Sequence, residues 1–120
     1  MLKDDNDRVR LTHMFEAASE AVVFARGKQR SDLDADRMLS LSLVKLIEVV
    51  GEAANNVSEV GQAQYSQIPW PDIVGMRHRL IHGYFDVDLD IVWAVVANDL
   101  PPLITELEKI LASVEPPKEN

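Results

Sequence analysis

The sequence predicts an all-α protein, an up-and-down bundle of four to five helices. Two observations predict it. Apolar residues recur at three- and four-residue steps through four long segments, the spacing that lines one face of an α-helix. The two-residue alternation of a half-buried strand is absent, and only five glycines and six prolines punctuate the 120 residues.

The first helical segment runs from about Asp7 to about Arg26, with Val9, Leu11, Met14, Phe15, Ala18, Val22 and Phe24–Ala25 as its stripe. Gly27 ends it. Ser31-Asp32-Leu33-Asp34 reads as a loop rich in helix-capping side chains. The second helix runs from about Ala35 to about Ser58. Leu39, Leu43, Leu46, Ile47, Val50, Ala54 and Val57 form one stripe, and Leu41, Val44 and Val49 add apolar surface elsewhere. A helix that is apolar on more than one side is central, or shared between a core and a dimer interface.

Gly61 to Pro69 reads as a connector, with room for a short helical turn around Gln64–Ser66. Trp70-Pro71 opens the third helix, since proline suits the first helical position, and this helix reaches about Ile81. Gly83 and Phe85-Asp86-Val87-Asp88 make the next turn. The fourth helix starts near Asp88, a capping residue, and reaches about Ser113. Pro101-Pro102 must kink or interrupt it, because proline lacks an N–H and crowds the preceding turn. One domain over residues 1–114 is expected, with a flexible tail over 115–120.

Composition narrows the class. Hydrophobic residues make up 47% and charged residues 27%, ordinary values for a soluble domain. No apolar run approaches the roughly 20 residues that cross a bilayer. The polar start Met1-Leu2-Lys3-Asp4-Asp5 does not resemble a secretion signal. A cytoplasmic protein without membrane contact is expected. With no cysteine, disulfides and thiolate metal sites are excluded. The net charge of −8 argues against a broad nucleic-acid-binding face. Any action on RNA must rest on a local basic site, or on an oligomer that gathers a few arginines.

The stretch Met76-Arg77-His78-Arg79-Leu80-Ile81-His82-Gly83-Tyr84 holds the chemistry. In a continuous helix, Arg77 would share a stripe with Ile73, Val74, Leu80, Ile81 and Tyr84. A charge in such a stripe needs an acidic partner, a water-filled cleft or an anionic ligand. Glu48 and Glu52, one turn apart on the second helix, are the candidate partners. His82 lies five residues beyond Arg77, about 500° around a helix, so the two share a face only if the helix ends near Ile81. His78 and His82 have the i, i+4 spacing of a zinc pair, but a third ligand and the zincin glutamate are missing. No metal site is expected. Asp86, Asp88 and Asp90 resemble a fragment of a calcium loop without its remaining ligands, so helix capping is the expectation. Trp70 and Trp93 read as core or interface.

Arg77, four residues, His82, one residue, Tyr84: this pattern resembles the signature of HEPN ribonucleases and, more narrowly, of HepT-like toxins. In that superfamily the residue after the arginine is polar, often Asn, Asp or His. Many HepT-like chains have Asn where this one has His78. Gly51-Glu52-Ala53 resembles the family's Gly-Glu-Ala stretch. Ile68-Pro69-Trp70, Gly75-Met76-Arg77, Tyr84-Phe85-Asp86-Val87-Asp88, Val92-Trp93 and Asn98-Asp99-Leu100-Pro101 match its order and spacing. The resemblance covers nearly the whole chain.

The resemblance implies a homodimeric HEPN bundle in which paired Arg and His residues line one cleft. It implies a metal-independent endoribonuclease without cofactor, the toxin of a HepT/MntA (type VII) toxin–antitoxin pair, cutting mRNA or tRNA by attack of the ribose 2′-OH. Arg77 and His82 would be catalytic. Histidine titrates near neutral pH and can move protons. Arginine offers a fixed cationic fork to a developing phosphorane. His78 would orient the pair or bind phosphate. Arg79 would track the RNA backbone or sit solvated at the surface. Glu52 would support Arg77 or pack between helices. Tyr84 would accept AMP from a minimal nucleotidyltransferase antitoxin, placing negative charge and bulk where RNA phosphate should lie. The competing expectation is a non-catalytic helical partner or substrate-binding subunit of a nucleotidyltransferase. A weaker one is a structural dimer whose polar residues set interface specificity.

Overall fold

The computed structural model describes residues 5–82 and 86–113, with the backbone alone for Asp5 and His82. Most of that length is helical. The helices are α1 (Asp5–Ala25), α2 (Asp32–Ala35), α3 (Arg37–Asn55), α4 (Glu59–Gln64), α5 (Trp70–Val74), α6 (Met76–Leu80), α7 (Leu89–Ala94) and α8 (Leu100–Ser113). A π-helical turn, Val95–Asp99, joins α7 to α8. Between α6 and α7, β1 (Ile81–His82) pairs antiparallel with β2 (Asp86–Val87). The all-α expectation holds, with one two-residue pair bridging the ends of α6 and α7.

The long helices form the frame. α1 lies along α3 and α8, and α3 also carries α5 and α6 on its flank. Leu11, Met14 and Ala18 of α1 meet Leu43, Ile47 and Val50 of α3 and Leu100 and Leu107 of α8 in one buried cluster. The helical stripes thus become the core. Val9 and Phe24, counted in the first stripe, lie exposed instead, as does Leu41 on α3.

Several expected boundaries move for local reasons. The predicted loop over Ser31–Asp34 is largely the single turn α2, with Leu33 buried in the core. Asp36 is extended and starts α3, its carboxylate accepting from Leu39 N–H at 3.0 Å. The second predicted helix stops at Asn55. Ser58, placed at its end, instead caps α4 within the predicted connector, its Oγ accepting from Gly61 N–H at 3.0 Å. The third helix breaks at Gly75, which closes α5 and opens α6.

Other boundaries hold. Gly27, at φ +76°, comes after α1 in the left-handed conformation that glycine favours. Asp88 caps α7 by accepting from the N–H groups of Asp90 and Ile91 at 3.1 and 3.2 Å. Asp90 accepts from Arg30 Nε at 2.6 Å. The expected capping role thus holds for Asp88, whereas Asp90 forms an ion pair that the sequence did not suggest. Trp70 is core, its indole N–H donating to Tyr65 O at 3.1 Å. The predicted interruption at Pro101-Pro102 takes the form of the preceding π turn, in which Leu100 N–H donates to Val95 O, five residues back. The turn at Gly83 and Phe85, and the tail over 115–120, lie outside the described residues.

Asp7 is 3% exposed, a buried acid that periodicity did not flag. Its carboxylate accepts from Ser58 N–H at 2.8 Å and from Ser58 Oγ–H. It thereby ties the start of α1 to the cap of α4. Burial, and secondarily the Asp7 charge, push the nearby Tyr65 phenol above its ordinary range. Asp7→Ala leaves the Ser58 donors unsatisfied and should cost about 3 kcal/mol in urea unfolding.

Candidate functional site

The site is built on the flank of α3. Gly51 lies where the α5 backbone passes: a Cβ there would stand 3.2 Å from Ile73 O and 3.5 Å from Val74 O. The absent side chain lets α5 and α6 lie close against α3. Glu48 and Glu52, three residues before Gly51 and one after it, then border the same opening as Arg77 and His78 on α6. The result is a cleft of about 450 Å³ lined by Glu48, Gly51, Glu52, Asn55, Val74, Arg77 and His78.

Arg77 is held from one side. Its Nε donates to Glu48 Oε2 at 3.2 Å. The Glu48 side chain is 27% exposed and that of Arg77 55%, so the guanidinium projects into open space from a more enclosed carboxylate. Expected in an apolar stripe, Arg77 instead faces solvent because the break at Gly75 ends that stripe. Met76 and Leu80 are the buried residues of α6. The acidic partner is Glu48; Glu52 borders the cleft and is exposed.

The other predicted residues separate. His78 is exposed beside Arg77 in the cleft. Arg79 points elsewhere. Residues 76 and 79 lie on the side of α6 opposite 77 and 78, and Arg79 lines a different cleft of about 270 Å³ beside α8. There its Nη2 donates to Asp99 Oδ2 at 3.2 Å. Asp99 went unassigned in the sequence, and its position in the π turn gave no signal in the spacing.

The chain leaves the helix at Ile81, which is extended at φ −112°, ψ 116°, so the backbone of His82 departs from the helical path as expected. His82 pairs with Asp86 in the two-stranded ladder. The His82 side chain and Tyr84 lie outside the described residues. Among the described residues, no three His, Cys, Asp or Glu side chains gather as a metal site.

A model of the family described as Ribonuclease HepT-like matches residues 14–110 of this sequence. The chain belongs to the HepT-like ribonuclease family. Among its curated relatives, one from Caldanaerobacter subterraneus subsp. tengcongensis, named "Putative RNase", is 31% identical over 84% of this chain and 90% of its own length. A "Probable ribonuclease HepT" from Thermococcus cleftensis is 33% identical over 66% of this chain and 72% of its own. A "Gamma-glutamylcyclotransferase and putative RNase" from Methanocaldococcus jannaschii is 32% identical over 94% of this chain, which spans only 51% of that longer protein. No solved structure matches. These likenesses support a nuclease that acts on RNA. The matched region contains the whole cleft, and Gly51-Glu52-Ala53 has a physical reading here. Gly51 sets the interhelical distance and its flanking acids border Arg77.

In HepT-like terms, Gly51→Ala is the sharpest test of that distance. Alanine in mid-helix gains up to about 1 kcal/mol in helix propensity. Against it stands a Cβ set 3.2 Å from the Ile73 carbonyl of the α5 backbone, an overpacking cost of about 1–3 kcal/mol. Denaturant unfolding should show a net loss of stability, opposite to the propensity effect.

Proposed function

We propose that this HepT-like protein is an RNase toxin that cuts mRNA or tRNA without a metal ion and is silenced by a nucleotidyltransferase antitoxin. The observation that carries the reading is the pairing of Arg77 with Glu48 at the edge of an open cleft that also contains His78. With its Nε engaged by Glu48, the guanidinium keeps its remaining N–H donors for a phosphate.

The 2′-OH of the ribose attacks the adjacent phosphorus, and the bond to the 5′-oxygen of the next nucleotide breaks. The products are a 2′,3′-cyclic phosphate and a 5′-OH. His82 removes the 2′-OH proton while water protonates the leaving 5′-oxygen, or, as the acid, protonates that oxygen while water takes the 2′-OH proton. Arg77 neutralises the charge that builds on the equatorial oxygens. His78 orients this pair or binds a neighbouring phosphate.

One chain's cleft carries Glu48 and Glu52 against a single fixed cation, a poor attractor for a polyanion. A homodimer with the two clefts facing each other would double the cationic groups along one RNA path. Met38 and Leu41, large apolar side chains left exposed on α3, support such a contact. AMP transferred to Tyr84, two residues beyond His82, would add phosphate charge beside the site and exclude RNA. No helix among the described residues is long and apolar enough to cross a membrane. A cytoplasmic site of action, where RNA and the antitoxin meet, suits this role.

The test is cleavage of tRNA and total RNA in EDTA, after intact mass has shown the sample free of added AMP. Wild type should cut and leave cyclic-phosphate ends, and His82→Ala should lose at least about a hundredfold in rate. Intact RNA after exposure to folded, unmodified wild type would overturn the reading in favour of a non-catalytic partner.

A further inference from the structure

We propose that Asp99 is a positioning residue: through Arg79 it fixes the rotation of α6 and thereby the aim of Arg77. The inference rests on the ribonuclease reading above. α6 has five residues and no side-chain cap, its N-cap being Gly75. A helix that short does not hold its own orientation. Met76 and Leu80, both fully buried, seat one edge of it in the core. α6 also packs against α3, α5 and α7 and runs into β1, so only a small roll of its outer face remains to be set.

Two ion pairs oppose the roll. Arg77 and Arg79 are two residues apart, so their side chains leave the helix about 200° apart. Arg77 reaches Glu48 on α3, and Arg79 reaches Asp99 in the π turn, each at 3.2 Å. The acids stand on different elements on opposite sides of α6. A roll of α6 away from the observed angle stretches both pairs, so the two together define it. The π turn matters to this geometry, because an extra residue within a helix rotates every later side chain by about 100°. Asp99, the last residue of that turn, meets Arg79 just ahead of Pro101-Pro102.

The surroundings of Arg79 argue against direct contact with RNA. Its cleft is also lined by Asp72, Asp99 and Glu106, three carboxylates that would repel a phosphate. Both partners are substantially exposed, at 47% for Arg79 and 38% for Asp99. Such a pair adds little to global stability. Its effect belongs in the rate.

The experiment compares Asp99→Asn, Arg79→Asp and the exchanged pair Arg79→Asp with Asp99→Arg in the full chain. Cleavage rate at saturating RNA, KM and thermal midpoint are measured for each. Asp99→Asn should lower kcat roughly tenfold, the scale of a slightly misaimed catalytic group, with KM and the midpoint unchanged. The exchanged pair should recover kcat to within about threefold of wild type, whereas Arg79→Asp alone should not. Wild-type kcat in Asp99→Asn overturns the proposal. So does an exchanged pair no better than Arg79→Asp with a raised KM, which would make Arg79 an RNA contact. If wild type cuts no RNA, the ribonuclease reading fails separately. Slow exchange of the Arg77 Nε–H proton by NMR then tests the clamp itself: its loss in Asp99→Asn supports the coupling, and its retention refutes it.

Discussion

The close passage of α5 over α3 at Gly51 is the constraint on which the site depends. No side chain separates the glycine from the carbonyls of Ile73 and Val74. Because the backbones approach there, Glu48 reaches Arg77 on the next helix, α6. A larger residue at 51 would press on the Ile73 carbonyl and shift α5, and with it α6, relative to Glu48. Core packing and site chemistry thus share a boundary. The buried stripe of α3, with Leu43, Ile47 and Val50, fixes that helix against α1, and the flank beside the stripe carries the acids.

The charge balance of the molecule reflects this arrangement. An acidic protein of net charge −8 cannot draw RNA to its surface at large. Its arginines near the site are already engaged: Arg77 with Glu48, and Arg79 with Asp99. Each carboxylate keeps a cation oriented while lowering the local positive potential. Specific placement is favoured over strong non-specific attraction. Such a balance suits a nuclease that must spare RNA in bulk and act where its geometry is met.

Much of this was legible in the sequence, and the remainder was hidden for physical reasons. The apolar periods of α1, α3 and α8 revealed the long helices because each buries one face. Gly27, Pro71 and Asp88 marked turns through their own backbone or capping preferences. The breaks at Asp36, Ser58 and Gly75 were missed because short polar residues and glycine occur both inside helices and at their ends. Arg77 was singled out as a residue of an apolar stripe; the break at Gly75 removes that stripe and leaves it open to solvent. The alternatives Glu48 and Glu52 share one face of α3, and only the three-dimensional offset of α6 decides between them. Asp7 and Asp99 act across 51 and 20 residues of sequence respectively. No local period encodes such a contact.

In the proposed ribonuclease, Glu48 acts by aiming Arg77. The most direct test of that role is a double-mutant cycle on single-turnover RNA cleavage with Glu48→Gln, Arg77→Ala and both together. Glu48→Gln should cost roughly tenfold when Arg77 is present and nothing further when it is absent. An equal loss in both backgrounds, or a gain on removing the Glu48 charge, would contradict that role.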